Sequence, residues 1–177
     1  MKKLVLGSAI LAVLGMTSTA MAANNGTVNF TGAVSSATCD LKVTNASGAE
    51  IPTVDLGTVS TTGTPASVQF KLVPSDNACL AKNGAQISWT SNNLTTQGFS
   101  NATTGGTNAY MALLTSNAQE TGASSYVKSG QTTFNYQVTS GGIRSFDYSA
   151  SLVKPTGTVT QAHFQLQQVM LLLINNI

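Results

Sequence analysis

The chain has 177 residues, a formal net charge of +2 and 8% charged residues. Lys2 and Lys3 account for the excess of basic over acidic residues, so the rest of the chain is formally neutral and lacks the positive surface that would bind nucleic acid or an anionic membrane. Copies of such a weakly charged chain repel each other little, which favours a protein whose copies pack against one another.

The first residues carry the pattern of an export signal. Two lysines are followed by an apolar stretch at 4–15 and by a small-x-small cleavage site at 20–22. The stretch is short and interrupted by Gly and Ser, which favours a cleaved signal over the alternative, a membrane anchor. We therefore expect residues 1–22 to be removed, leaving a mature single domain at 23–177.

Cys39 and Cys79 are the only cysteines, 40 residues apart. Two cysteines in an exported chain form a disulfide by default. Together with the only histidine, His163, they supply too few ligands for a tetrahedral zinc site, and the chain has no C-x-x-C redox motif. The sequence therefore predicts a structural disulfide and no metal or other cofactor.

Short β-strand patterns recur along the mature chain, and no long stretch shows helical periodicity. Apolar and polar residues alternate at 28–34, 39–43, 54–59, 68–72, 87–90, 133–138 and 146–152. Residues 110–114 are more continuously apolar and predict a strand buried on both faces. Polar segment 91–108 predicts a long loop, and Gly/Pro-containing segments 61–65 and 154–157 predict turns. Short strands at this spacing predict an all-β sandwich.

Both ends of the mature chain carry strong apolar patterns. The N-terminal residues lead directly into the alternating strand of Val28 and Phe30. At the other end one set of alternate positions holds Phe164, Leu166, Met170, Leu172 and Ile174. The positions between them become apolar from Val169 onward. An apolar terminal strand is an aggregation hazard, so we expect another segment to cover it.

In their order, these segments resemble the major subunits of chaperone–usher fimbriae, the type 1-like pilin family. The resemblance rests on segments 26–32, 54–57, 146–150 and 157–162 and on the two cysteines. No single segment is specific, but their order, the cysteine spacing and the length together are. The last nine residues depart from the family pattern, which alternates to the end and has a Tyr just before the last position.

The resemblance implies an incomplete immunoglobulin-like β-sandwich, the pilin fold, completed by a donor strand from another chain. In this family a periplasmic chaperone first fills the open groove, and the N-terminal extension of the next subunit then replaces it by strand addition. The donor extension would be residues 23–32, and the pilin domain residues 33–177. The donor residues would be Gly26, Val28, Phe30 and Gly32. The C-terminal strand of the groove, which the chaperone also contacts, would present Phe164, Leu166, Met170 and Leu172.

A second interpretation of the N-terminal pattern stays open. Val28 and Phe30 also fit an ordinary first strand of their own domain, paired with neighbours in the same chain. The two interpretations share the strand and differ in which chain receives it.

No arrangement of residues predicts an enzyme. The acids are scattered, without the signature of a glycosidase pair: Asp40, Glu50, Asp55, Asp76, Glu120 and Asp147. His163 lies in a predicted strand, without a nucleophile-elbow motif for a triad, and is interpreted as a surface residue. Trp89 is a candidate for sugar contact, although a lone strand Trp more often packs in a core.

We therefore expect a non-enzymatic structural subunit of a fimbria, exported through the periplasm to the cell surface and supporting adhesion. Its partners would be neighbouring pilin subunits, a periplasmic chaperone, an outer-membrane usher and, through the fibre, a host glycan. The alternative is a minor or tip fimbrial subunit that itself binds host glycans. A secreted hydrolase is a third and weaker interpretation, since the catalytic residues are missing.

Overall fold

The structure, a computed structural model, describes residues 25–34, 39–58, 66–160 and 164–173. These residues form ten strands: β1 (Asn25–Val34), β2 (Leu41–Asn45), β3 (Val54–Thr58), β4 (Val68–Pro74), β5 (Gly84–Thr90), β6 (Phe99–Ser100), β7 (Tyr110–Thr115), β8 (Thr133–Gln137), β9 (Phe146–Val153) and β10 (Phe164–Leu173). A short helix α1 (Asn77–Leu80) follows β4, and a 3-10 turn (Gly122–Ser125) follows β7.

The strands form two five-stranded sheets that enclose one core. The first sheet has the order β3-β1-β10-β5-β8, and the second has the order β2-β4-β9-β7-β6. The largest fully buried side chains come from both sheets and include Phe70, Trp89, Phe134, Phe146 and Tyr148. This architecture confirms the predicted all-β, immunoglobulin-like sandwich of the pilin type.

Alternation along the strands explains how they form the core. Successive side chains of a strand point to opposite faces, so a period of two places every second residue inward. In β4 this buries Phe70 and Leu72, and in β5 it buries Ile87 and Trp89. The sequence patterns that predicted these strands are therefore the patterns of the core itself.

The prediction that the strand at 110–114 is buried on both faces is wrong. Met111 and Leu113 are fully buried, but Tyr110, Ala112 and Leu114 are partly exposed. The strand packs on the opposite sheet with one face only, and its apolar outer residues are small or partly accessible rather than enclosed.

The predicted loop at 91–108 contains the two-residue strand β6, paired with the start of β7. Phe99 of β6 is fully buried and meets Trp89 edge-on, with ring centroids 6.4 Å apart. The residue before β6 must be glycine for the chain to come this close to β7, because a Cβ on Gly98 would lie 2.4 Å from the carbonyl oxygen of Met111. The predicted turn at 61–65 lies outside the described residues, as does the export signal.

The predicted disulfide is present. Cys39 and Cys79 are bonded, with their Cα atoms 5.9 Å apart, and both are buried. The bond joins the chain just ahead of β2 to helix α1. Asp76 begins this helix by accepting a hydrogen bond from the backbone N–H of Ala78 at 2.8 Å. The bridge therefore holds the entry to the second sheet against the segment between β4 and β5.

A chain of hydroxyl groups crosses the core between the sheets. Tyr136 of β8 donates to the hydroxyl of Tyr148 of β9 at 2.6 Å, and Thr115 Oγ1 of β7 lies 2.9 Å from the Tyr136 hydroxyl. Trp89 meets the Tyr148 ring edge-on at a centroid distance of 5.2 Å. Burial raises the pKa of both tyrosines well above the ordinary value. The two sheets are thus joined by neutral hydroxyls within an aromatic core.

Removal of the disulfide should lower stability without changing the fold. The Cys39→Ser/Cys79→Ser variant loses a constraint on a 40-residue loop, which the chain-entropy model values at about 4 kcal/mol of unfolding free energy. Urea unfolding followed by tryptophan fluorescence measures the difference, and reduction of the wild-type protein should reproduce it. An unchanged urea midpoint in both experiments would contradict the stabilising role of the disulfide.

Stability should fall as the pH rises above about 10, the ordinary pKa of tyrosine. The unfolded chain then releases tyrosine protons that burial retains in the folded chain, at about 1.4 kcal/mol per pH unit for each tyrosine. Tyr136→Phe should weaken this pH dependence and cost about 1–3 kcal/mol at neutral pH through the lost hydrogen bonds. Urea midpoints measured from pH 8 upward test both effects. Tyr126→Phe, at an exposed tyrosine, is the matched control and should follow the wild-type curve.

Candidate functional site

The N-terminal strand β1 lies beside the C-terminal strand β10. The two run parallel, in register from Gly26 opposite Phe164 to Val34 opposite Leu172. The other edge of β1 pairs antiparallel with β3 over its first four residues, with a register shift after Gly26. Strand β1 therefore occupies the position that joins β3 to the rest of the first sheet.

The inward face of this strand pair is part of the core. Val28 has no exposed surface, and it lies in register with Leu166 on one side and with Val54 on the other. Phe164 is also buried. Burial of one side chain of this size contributes roughly 1.5–3 kcal/mol. The adjacent residue Asn29 is exposed, so these two neighbouring side chains of β1 face opposite sides of the sheet.

The predicted donor residues and the predicted groove residues come together in this one pair of strands. Gly26 lies opposite Phe164, Val28 opposite Leu166 and Gly32 opposite Met170, whereas Phe30 lies opposite Gln168 and Leu172 opposite Val34. In this single chain the N-terminal segment thus takes its place in the sheet of its own domain. The sequence showed the apolar alternation of both strands, but nothing in it indicated that the two strands run parallel.

The second edge of β10 has two different neighbours. Strand β5 pairs with its later half, from Thr90 opposite Val169 to Gln86 opposite Leu173. Nearer the start of β10, the loop after β6 takes the place of a strand. Ala102 N–H donates to the Gln165 carbonyl at 2.9 Å, and Gln165 N–H donates to Asn101 Oδ1 at 3.0 Å.

A cleft of about 270 Å³ lies where β1, β10 and this loop meet. Its lining includes no charged side chain and consists of Thr27, Asn29, Ala102, Thr103, Gln165 and Leu166. The start of β10 is therefore bordered by an uncharged loop on one side and by β1 on the other.

The carboxylates have local structural partners rather than a shared site. Asp55 accepts a hydrogen bond from Gly57 N–H, and Glu120 accepts two from Asn135. Lys42 pairs with Glu50 at 3.3 Å on the surface. Within the described ranges, no group of three or more His, Cys, Asp or Glu side chains could hold a metal ion. His163 lies outside those ranges.

Trp89, the candidate for sugar contact, is only 2% exposed and packs in the aromatic core. Its indole therefore does not present a face to a ligand at the surface. In the part of the chain that the structure describes, no helix has the length and apolar character needed to cross a membrane.

Comparison with known proteins gives two relatives over most of the chain. It is 38% identical to the K99 fimbrial protein of Escherichia coli over 159 residues, which cover 87% of this chain and 86% of that protein. It is 34% identical to the F107 fimbrial protein of Escherichia coli over 169 residues, which cover 93% and 94%. No protein-family model matches the chain. Identity at this level and coverage indicates a common fold and a common kind of role.

Proposed function

Because the chain belongs to the fimbrial subunits of the chaperone–usher class, we propose that it is a structural subunit that polymerises by donor-strand exchange and builds a fibre for adhesion. Residues 1–22 are the export signal, 23–32 the donor extension and 33–177 the pilin domain. A periplasmic chaperone and an outer-membrane usher bring the subunit to the cell surface, where it assembles with other pilin subunits. It has no enzymatic activity of its own.

The observation that supports this mechanism is the position of β1. It is a continuous strand that places the fully buried side chain of Val28 into the core and pairs with β10 through its main chain. Main-chain pairing for affinity and alternate side chains for specificity are the two elements of strand addition. A second copy of the chain carries the same strand and can supply it to the same position.

The connections of β1 allow it to leave its own domain. It contacts the first sheet, whereas the next strand, β2, belongs to the second sheet. The segment 35–38 joins β1 to Cys39, which the disulfide holds in place. Release of β1 therefore leaves β2 and the second sheet paired as before.

The same release leaves β3 and β10 with open edges. Among the described strands, β3 pairs with β1 alone. Buried residues such as Val54 and Leu166 would then meet water, and unpaired strand edges readily take up another strand. The vacancy is thus stable only when a strand fills it, and during assembly that strand would come first from the chaperone and then from the next subunit.

We expect Val28→Asp to abolish detergent-resistant ladders of subunits when the gene is expressed with its chaperone and usher. The substitution puts a carboxylate at a fully buried position, where a charge without a partner is strongly unfavourable. Asn29→Asp introduces the same carboxylate at the next residue, which is exposed, and should form ladders like the wild type. Ladders are measured by electrophoresis of surface extracts without heating.

Mixed expression separates strand donation from folding. A tagged Val28→Asp chain can receive a wild-type strand but cannot donate its own, so it should shorten the ladders as its share of the mixture increases. The donor-strand proposal is wrong if the wild-type protein is produced only as a monomer, or if Val28→Asp forms ladders as long as those of Asn29→Asp.

A further inference from the structure

The main-chain groups of Gln165 at the start of β10 are satisfied entirely by the loop after β6. The N–H and C=O of one strand residue point to the same edge, and those of the next residue point to the opposite edge. Since both groups of Gln165 bond to Asn101 and Ala102, the main-chain groups of Phe164 and Leu166 are directed to the edge that β1 occupies. The loop thus occupies, at the start of β10, the edge opposite the one that pairs with β1.

Asn101 is fixed by partners that do not belong to β1. Its Oδ1 accepts from the N–H groups of Thr103 and Gln165, both at 3.0 Å, and its Nδ2 donates to the Thr107 carbonyl at 3.2 Å. The Asn93 side chain donates to its main-chain carbonyl at 3.4 Å. All these partners remain when β1 leaves the domain, so the carboxamide keeps its orientation.

We propose that Asn101 is a positioning residue for assembly: it keeps the start of β10 extended, so that this strand can receive the N-terminal strand of a second copy of the chain. This inference rests on the proposed donor-strand function. It adds a determinant of the acceptor site that lies outside both the donor strand and the C-terminal strand.

The need for such a residue follows from the neighbours of β10. Strand β5 supports β10 only from Val169 onward. Before that point, and without β1, the loop is the neighbour that the structure places beside Gln165. If Asn101 did not hold Gln165, this half of the strand would have to be ordered during docking, and each residue ordered then costs conformational entropy. Assembly would be slower although the core was unchanged.

Three variants of the full chain test the proposal. Asn101→Ala removes the acceptor for Gln165 N–H, and Asn101→Asp keeps an oxygen at that position. Asn117→Ala is the matched control: Asn117 holds the start of β9 through the same two kinds of bond, to Ser145 O at 2.9 Å and from Asp147 N–H at 2.8 Å, but it lies in the bend after β7 of the second sheet, which β1 does not join.

Two readouts are compared, the rate of ladder formation with chaperone and usher and the hydrogen exchange of the Gln165 amide in the purified chain. For Asn101→Ala we expect exchange about ten-fold faster and ladder formation about ten-fold slower, the effect of one ordinary hydrogen bond on an equilibrium. Asn117→Ala should change neither, even if it lowers the melting temperature by as much. Asn101→Asp should remain closer to the wild type than Asn101→Ala in both readouts.

The inference is overturned if Asn101→Ala assembles at the wild-type rate, or if Asn117→Ala slows assembly equally. Either result would mean that Asn101 has no specific role in assembly beyond the stability of the domain. A wild-type chain that forms no ladders would instead contradict the proposed function. The two failures are therefore distinguishable.

Discussion

The pairing of β1 with β10 is the interaction on which the first sheet depends. It is the parallel pair of that sheet, it extends over nine registered positions, and it encloses Val28 and Leu166 in the core. Strand β3 reaches the rest of the sheet through β1. The attachment of β3 to this sheet thus depends on β1, which residues 35–38 connect to Cys39. This position suits β1 to the proposed exchange, because its loss would open the edges of β3 and β10 and every copy of the chain carries the same strand.

The remainder of the sandwich is held together by interactions that do not involve this strand. The disulfide between Cys39 and Cys79 joins the start of the second sheet to helix α1. The hydroxyl chain from Thr115 through Tyr136 to Tyr148 joins β7 and β9 to β8 across the core. Neither the disulfide nor the hydroxyl chain includes a residue of β1, so the proposed exchange would leave both in place. The residues that stabilise the rest of the sandwich are therefore different from the residues of the strand that is proposed to exchange.

Much of the fold was predictable because strand periodicity and core burial have the same origin. The alternations at Phe70, Ile87 and Phe146 predicted β4, β5 and β9. Strand β6 was not predictable, since its two residues are too few for a period and the large apolar residues of segment 91–108, Leu94 and Phe99, do not alternate with each other. For the site, parity predicted that Val28 and Leu166 face inward. It could not decide whose β10 receives β1, because every copy of the chain carries both strands.

The asparagine contacts were invisible in the sequence for a different reason. Asparagine in a polar stretch is read as a loop signal, yet its carboxamide has the donor and the acceptor of a peptide group and can take the place of a neighbouring strand. Asn101, Asn108 and Asn117 each bond to backbone 64, 52 and 30 residues away, respectively. Because these carboxamides are uncharged, an ionic atmosphere does not screen them, and they do not gain or lose protons over the ordinary pH range. The contacts that these three carboxamides make across the domain should therefore withstand both concentrated salt and mild acid.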